Sequence, residues 1–257
     1  MSLESRDAWN PGRFVAAALG MALVGATGIL ALVLWQSVVY SLVTATIWEP
    51  PLSGARSQIV STISLGLGMA MTGAGYVVYT NRSWAFIDVQ WPSLRDLAWI
   101  AVGLVGLFAL LQVVSILLDV LGISAAQHTT TEAAKTEPSL LLPLIPLSIL
   151  VVGPAEELVY RNVVQKGLYE HAPRVVAVLT ASVIFSLVHI PAYAAGASTS
   201  ALVATLAIIF TLSLVLGTVY ERTENLVVPA VVHGGYNAVL FGLDYLDQTA
   251  SVALALL

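Results

Sequence analysis

Apolar runs long enough to cross a lipid bilayer recur along nearly the whole chain, and they constrain its fold more than any other feature. A helix rises about 1.5 Å per residue, so about 20 apolar residues match the roughly 30 Å hydrocarbon core of a bilayer. Of the 257 residues, 58% are hydrophobic and only 10% are charged, which is far from the composition of soluble domains. The sequence therefore predicts an all-α protein, a polytopic transmembrane helical bundle in the lipid bilayer.

The predicted spans follow one another without an intervening soluble domain. Residues 81–96 mix aromatic and charged side chains, and we expect them to lie along the membrane surface. We predict N-terminal transmembrane helices over 1–138, a C-terminal core over 139–245 and a short tail over 246–257. About seven to eight spans are expected, at residues 14–36 (or on to 47), 57–80, 97–121, 140–168, 174–193, 199–221 and 225–245.

Basic residues orient the predicted bundle, because loops on the cytoplasmic side of membrane proteins are enriched in lysine and arginine. With a cytoplasmic N-terminus, Arg56 and Lys135 fall outside and Arg161 lies within a span. Seven basic residues then lie at cytoplasmic ends or loops: Arg6, Arg13, Arg82, Arg95, Lys166, Arg174 and Arg222. We therefore expect a multi-pass protein of the cell membrane with its N-terminus in the cytoplasm. No cluster of basic residues suggests a nucleic-acid partner.

Polar and ionisable side chains inside the apolar spans are the strongest indication of function. A charged group at bilayer depth costs at least about 2.5–3.5 kcal/mol, so each should face the bundle interior and have a partner or a task. The chain has no cysteine, which excludes a cysteine nucleophile and a thiolate metal site. The groups at depth come from three predicted spans: Glu156, Glu157 and Arg161; His189; and His233 with Asn237.

The positions of these residues predict one shared site. Glu157 and Arg161 are four residues apart and lie on one helix face, whereas Glu156 points about 100° away. Counted from the basic residues of the cytoplasmic face, Glu156, His189 and His233 lie roughly 15–22 Å into the membrane at about 1.5 Å per residue. Three helices thus bring polar groups to a similar depth.

The last predicted span adds two polar side chains and two glycines. His233 and Asn237 are four residues apart, so both polar tips can address one point between helices. Gly234 and Gly235 would let another backbone or a substrate come close to them.

Structural roles are the alternative for some of these residues. Glu157 with Arg161 fits a structural ion pair, since removing one partner of a buried pair costs about 3–5 kcal/mol. His189 taken alone would fit a core histidine with a satisfied hydrogen bond. His128 and His171 lie in predicted loops, where we predict no role for them. The convergence of the whole set favours a functional site.

At these residues the sequence resembles the CAAX-processing and bacteriocin-processing (CPBP, or Abi) family of intramembrane endopeptidases, which includes type II CAAX prenyl proteases. The resemblance covers about residues 139–245. It implies hydrolysis of a peptide bond in a lipidated or membrane-embedded peptide or protein, with prenylated C-termini among the options. Three short motifs of the family occur in order and without substitution: Glu-Glu-x-x-x-Arg as Glu156, Glu157 and Arg161; Phe-x-x-x-His as Phe185 and His189; and His-x-x-x-Asn as His233 and Asn237.

The resemblance also implies a role for each residue. Glu156 would be the general base, and His189 would help it to position and activate a water. His233 and Asn237 would donate hydrogen bonds to the oxyanion of the tetrahedral intermediate. Three residues would support the site by register or packing, without chemistry of their own: Glu157, Arg161 and Phe185.

The cofactor remains open at the level of the sequence. The mechanism that we favour requires no cofactor. The alternative is zinc bound by Glu156, His189 and His233, a set of ligands that leaves a position for water. Two further alternatives are a proton-coupled transporter that uses the same buried carboxylates and a non-catalytic bacteriocin-immunity protein. No inverted repeat supports the transporter.

Overall fold

Helices joined by short connections account for almost all of the part of the chain that the structure describes. The computed structural model describes residues 10–255, with side chains up to residue 250, and no strand occurs among them. The prediction of an all-α membrane bundle is confirmed. The helices labelled below are α1 (Pro11–Thr46), α2 (Gly54–Tyr79), α3 (Leu94–Leu121), α4 (Thr129–Ala134), α5 (Pro138–Leu168), α6 (Arg174–Leu187), α7 (Thr199–Thr223) and α8 (Val227–Ala255).

Five of these helices, α1, α2, α3, α5 and α7, are long and apolar enough to cross a membrane. Helix α6 is apolar but has only 14 residues. Helix α8 has 29 residues and runs across the predicted start of the tail at residue 246. The predicted positions of the spans agree with the helices to within a few residues at most ends, while the number of crossings stays a prediction.

Helix ends follow local sequence signals. The side chain of Asn10 accepts a hydrogen bond from the backbone N–H of Arg13 and caps α1, whose first residue is Pro11. Ser93 and Asp96 form a capping box at the start of α3. Gly122 ends α3 with φ 67°, a left-handed conformation that favours glycine. These caps fix where the surface connections begin.

Helix α5 departs from regular α-helical geometry around the predicted site. Two π-helical segments, Ser148–Val152 and Leu158–Gln165, flank the α-helical turn Gly153–Glu157. Pro154 lacks a backbone N–H and therefore interrupts the regular hydrogen-bond ladder of the helix. Such widened turns change the direction in which successive side chains point and are frequent at functional sites.

Helix α6 is broken where the sequence predicted a continuous span over 174–193. It ends at Leu187, and a separate short helix, Ile190–Tyr193, follows with Pro191 in its first turn. At about 1.5 Å per residue, the 14 residues of α6 extend about 21 Å, which is less than the hydrocarbon thickness. His189 thus lies at a break in the helix, a backbone conformation that is tolerated at membrane depth where it lines a cavity.

A close crossing of α5 and α8 brings the two motif-bearing helices together. A Cβ added at Gly153 would collide with the carbonyl oxygen of Ala230, and one added at Gly234 would lie 2.5 Å from the carbonyl oxygen of Ser148. At Gly235 the nearest atom would be a side-chain carbon of Leu104 at 3.5 Å. Of the two glycines predicted to allow a close approach, Gly234 is therefore the one that another backbone approaches.

The predicted surface segment at 81–96 is fixed to the ends of the C-terminal helices. Asp88 accepts hydrogen bonds from the ammonium group of Lys166 at 2.7 Å and from the hydroxyl of Tyr220 at 2.6 Å. Asn162 holds the same segment by donating to the carbonyl oxygen of Phe86. These contacts join the connection between α2 and α3 to α5 and α7.

Candidate active site

Glu157 and Arg161 form a fully buried ion pair in α5. The Nε of Arg161 donates to Oε2 of Glu157 at 2.9 Å, and both side chains are 0% exposed. Arg161 also donates through Nη2 to the hydroxyl of Ser213 on α7, at 3.0 Å. The predicted pair exists and links two helices. The second oxygen of Glu157, Oε1, lies 2.9 Å from Nδ1 of His233, so both carboxylate oxygens are occupied.

Glu156, the neighbouring glutamate, faces the other way. Its Oε2 is buried and has no hydrogen-bond partner among the described residues. The same oxygen lies 4.0 Å from Nε2 of His189 and 3.9 Å from Nε2 of His233. These separations are too long for direct hydrogen bonds and suit a small group placed between the three side chains.

A hydrogen bond to the backbone determines which ring nitrogen of His189 carries the proton. The other ring nitrogen faces Glu156. Nδ1 lies 2.7 Å from the carbonyl oxygen of Phe185, and a carbonyl oxygen only accepts, so Nδ1 carries the proton. In the neutral ring, Nε2 is then an acceptor. A water between Nε2 of His189 and Oε2 of Glu156 can donate one proton to each.

His233 is oriented in a similar way from the opposite side. Its Nδ1 donates to Glu157, which leaves Nε2 pointing toward Glu156. The ring of Phe185 packs against both histidines, with ring centres 4.5 Å from His189 and 5.9 Å from His233. The packing of Phe185 beside His189 agrees with the prediction, and its 4% exposure shows that it serves as a wall.

A single cavity of about 500 Å³ unites these groups. Glu156, His189, His233 and Asn237 all contribute to its lining, and Phe185 closes one side. The structure therefore brings the four residues predicted to be catalytic, together with Phe185, to one cavity. Glu157 and Arg161 lie behind the cavity and hold the helices that form it.

The three side chains proposed as zinc ligands have suitable chemistry but open geometry. Two imidazoles and a carboxylate are common zinc ligands, and bonds of about 2.0–2.1 Å place neighbouring ligand atoms of a tetrahedral site roughly 3.3 Å apart. Here Oε2 of Glu156 lies 3.9–4.0 Å from the two Nε2 atoms. Among the described residues, no group of three or more histidine or acidic side chains is arranged closely enough to hold a metal ion.

The cavity also contains side chains for which the sequence predicted no role. His128, in the connection before α4, lines it and contacts the ring of Tyr193 edge-on with ring centres 5.1 Å apart. Burial, followed by the charge of His189, lowers the pKa of His128 to about 4. Asp244 of α8 lies on the same lining. The sequence gives no indication that His128 reaches the cavity, because it lies in a connection between helices. Ser213 could have been noticed as a polar residue inside an apolar helix.

Comparison with known proteins finds a family match over the region that contains the three motifs. Residues 138–239 match the family model described as type II CAAX prenyl endopeptidase Rce1-like. The predicted resemblance to the CAAX protease family is thereby confirmed for this segment. No curated protein and no solved structure gives a significant match to the chain.

Proposed function

We propose that this chain, with its Rce1-like segment at 138–239, is an intramembrane endopeptidase that hydrolyses a peptide bond in a membrane-anchored substrate with a water activated by Glu156 and His189. The observation that carries the proposal is the buried Oε2 of Glu156, which has no partner and lies about equally far from the Nε2 atoms of two histidines. Burying a carboxylate without a partner costs free energy, which a functional role of that carboxylate in the adjacent cavity would explain.

Glu156 is the general base in this mechanism. A water that donates to Oε2 of Glu156 and to Nε2 of His189 is held with its lone pair free for attack. As its oxygen bonds to the carbonyl carbon of the substrate, one proton passes to Glu156. When the tetrahedral intermediate collapses, the C–N bond breaks and Glu156 returns that proton to the leaving amine, so that it serves as base and then as acid.

His233 and Asn237 stabilise the oxyanion. His233 donates to Glu157 through Nδ1, so it donates to the oxyanion through Nε2 in its imidazolium form. That charge faces the carboxylates of Glu156 and Glu157, while Arg161 balances the second of them. The amide N–H of Asn237 supplies another donor. Such donors in a dry site are worth about 3–4 kcal/mol each to the transition state.

The division between the two adjacent glutamates supports this assignment over a transporter. Glu157 is saturated by Arg161 and His233 and has no free oxygen for a proton relay. The zinc-dependent version would use the same three side chains, with the Glu156 oxygen about 0.6–0.7 Å closer to each histidine nitrogen than the observed 3.9–4.0 Å, and a chelator distinguishes it.

Cleavage by the purified, reconstituted protein tests the proposal. The probe is a set of quenched fluorescent peptides with blocked termini, and the enzymes are wild type, Glu156→Gln and Glu132→Gln, each with and without a strong chelator. Glu132 is an exposed acid of α4 and serves as the matched control. We expect Glu156→Gln to lose about 10²–10⁴-fold in kcat, since general-base catalysis contributes about that factor. Glu132→Gln and chelated wild type should keep their activity.

Two results would contradict parts of the proposal. Equal cleavage by Glu156→Gln and wild type removes Glu156 from the chemistry. Loss of wild-type activity with chelator, restored by added zinc, replaces the metal-independent mechanism with the zinc-dependent one.

A further inference from the structure

His128 brings a hydrogen-bond donor to the wall of the cavity. The backbone N–H of Thr130 donates to its Nδ1 at 3.1 Å, so the neutral ring carries its proton on Nε2. Burial and the charge of His189 lower the pKa of His128 to about 4, and the neutral ring is therefore the form present at pH 7. No acceptor among the described residues receives a hydrogen bond from this Nε2–H. The donor is thus available to a ligand in the cavity.

Tyr193 places a second uncharged polar group beside this donor. The two rings meet edge-on with their centres 5.1 Å apart, and both residues line the cavity. Within the described part of the chain, the hydroxyl of Tyr193 makes no hydrogen bond. A phenol hydroxyl both donates and accepts, whereas the Nε2–H of His128 only donates. One part of the cavity wall therefore offers two polar groups without charge.

The same wall leads to the groups proposed to carry the chemistry. Tyr193 ends the short helix Ile190–Tyr193 and lies four residues after His189, or about 6 Å at about 1.5 Å per residue. Nε2 of His189 in turn lies 4.0 Å from Glu156. An extended peptide advances about 3.3 Å per residue. A peptide with its scissile bond at Glu156 can therefore reach His128 through residues near that bond.

The connection that carries His128 is held in place on both sides of it. The backbone N–H of Ala126 donates to the hydroxyl of Thr205 on α7 at 2.8 Å, and this hydroxyl donates back to the carbonyl oxygen of Ala126 at 3.4 Å. Thr205 is buried, and so is Ala134 at the end of α4. A ligand that binds His128 therefore does not have to order the connection first, which lowers the cost of binding.

We infer that His128 is a substrate-binding residue, whose Nε2–H donates a hydrogen bond to an acceptor oxygen of the bound peptide. The inference rests on the proposed function. The acceptor is a main-chain carbonyl or the carboxylate of a C-terminus, because a neutral imidazole N–H can donate to either. His128 lies outside residues 138–239, which match the family model. The contact would thus be a property of this chain, added to the groups that the three motifs supply.

His128→Asn tests the contact and keeps the cap of α4. Asparagine is a preferred N-cap residue, so its Oδ1 can accept from the N–H of Thr130 in place of Nδ1, while no donor reaches the position of Nε2. Binding of a fluorescently labelled peptide is measured in the Glu156→Gln background, where turnover is slow. We expect His128→Asn to raise Kd about three- to tenfold, the range for one lost hydrogen bond. His171→Asn is the matched control for an exposed histidine and should stay within about twofold.

The same peptide with a blocked and with a free C-terminus distinguishes the two acceptors. A higher Kd for both peptides identifies a main-chain carbonyl, and a higher Kd for the free acid alone identifies the terminal carboxylate. With Glu156 present, His128→Asn should raise KM for the affected peptide by a similar factor and leave kcat within about twofold.

An unchanged Kd for both peptides, or a loss of kcat without a change in Kd, overturns the inference. Wild type that does not cleave, together with a Kd that depends on His128, would overturn the peptidase function alone. Absence of peptide binding by Glu156→Gln would overturn both.

Discussion

Glu156 and Glu157 follow each other in the chain and have different surroundings. Glu157 is enclosed by Arg161 and His233, and each of its oxygens has a partner. Glu156 has a buried oxygen without a partner beside the cavity. Rotation by about 100° per residue in a helix places one side chain in the protein core and the other in the site. Adjacent residues of one chemical type can therefore serve as a support and as a base.

His128, which lies in a connection outside the long helices, should make the stability of the protein depend on pH. The backbone N–H of Thr130 donates to its Nδ1, so the neutral ring carries its proton on Nε2. Burial and the charge of His189 lower its folded-state pKa to about 4 from an ordinary value of 6.5, while Tyr193 contacts the ring without charge. Between these two values the unfolded chain binds more protons, so His128 makes stability fall as pH falls from about 6.5 to about 4.

We predict that His128→Asn weakens the acid sensitivity of the protein. Wild type should lose about 2 kcal/mol of stability through this group between pH 7 and pH 5, and the variant should lose correspondingly less. Thermal unfolding in detergent at both pH values measures the difference. His171→Asn is the matched control, since His171 is exposed at the opposite end. An identical pH dependence in wild type and His128→Asn would contradict the assignment.

At the scale of elements, the crossing of α5 and α8 sets the distance between Glu156 and His233. A Cβ at Gly234 would lie 2.5 Å from the carbonyl oxygen of Ser148 and 2.7 Å from the Cα of Ile149, and both are backbone atoms that cannot rotate away. Separation of the helices is the remaining way to relieve the contact. The distance between Glu156 and His233 is therefore sensitive to one added methyl group at Gly234.

We predict that Gly234→Ala lowers kcat/KM by about 10²-fold, since a displacement of about 1 Å can cost that factor, and destabilises the protein by about 1–3 kcal/mol. Gly235→Ala is the control, because its added Cβ would meet only a side-chain carbon of Leu104 at 3.5 Å. That variant should stay within about twofold of wild type. Peptide cleavage and thermal unfolding of both variants measure the contrast, which equal behaviour of the two would refute.

The elements differ in how far the sequence determines them. Long apolar runs predicted α1, α2, α3, α5 and α7 because burial in lipid depends on composition and length alone. The break after Leu187 was not predicted, although Pro191 is a local signal for it. The π-helical turns of α5 depend on packing around Gly153 and Pro154, which hydropathy does not register.

The buried polar residues of the site could be predicted from the sequence, whereas the other residues that line the cavity could not. The cost of polar groups in lipid predicted Glu156, His189 and His233 as a cluster, because each needs a partner or a task. No such cost marks His128, which lies in a connection and reaches the cavity only through the tertiary fold. The shape of the cavity likewise depends on where the connection between α3 and α4 folds back.

At the scale of the whole molecule, the two ends of the bundle differ in structure. At one end, which carries most of the basic residues, Arg82 pairs with Glu170 and Arg174 pairs with Glu224. The cavity extends toward the other end, where Gln58 and Gln127 line it. Three helices that are remote in sequence meet between these ends and place Glu156 within about 4 Å of two histidines. The proposed hydrolysis requires this arrangement as a unit, since no single helix carries the base together with both imidazoles.

The most direct test measures activity and stability side by side for Glu156→Gln and Glu157→Gln. We predict that Glu156→Gln loses about 10²–10⁴-fold in kcat with nearly unchanged thermal stability. Glu157→Gln should instead lower the unfolding temperature by about 10 °C, because it leaves the buried charge of Arg161 without its carboxylate. Peptide cleavage by Glu156→Gln at the wild-type rate, with its fold intact, would show that this carboxylate does not activate the water.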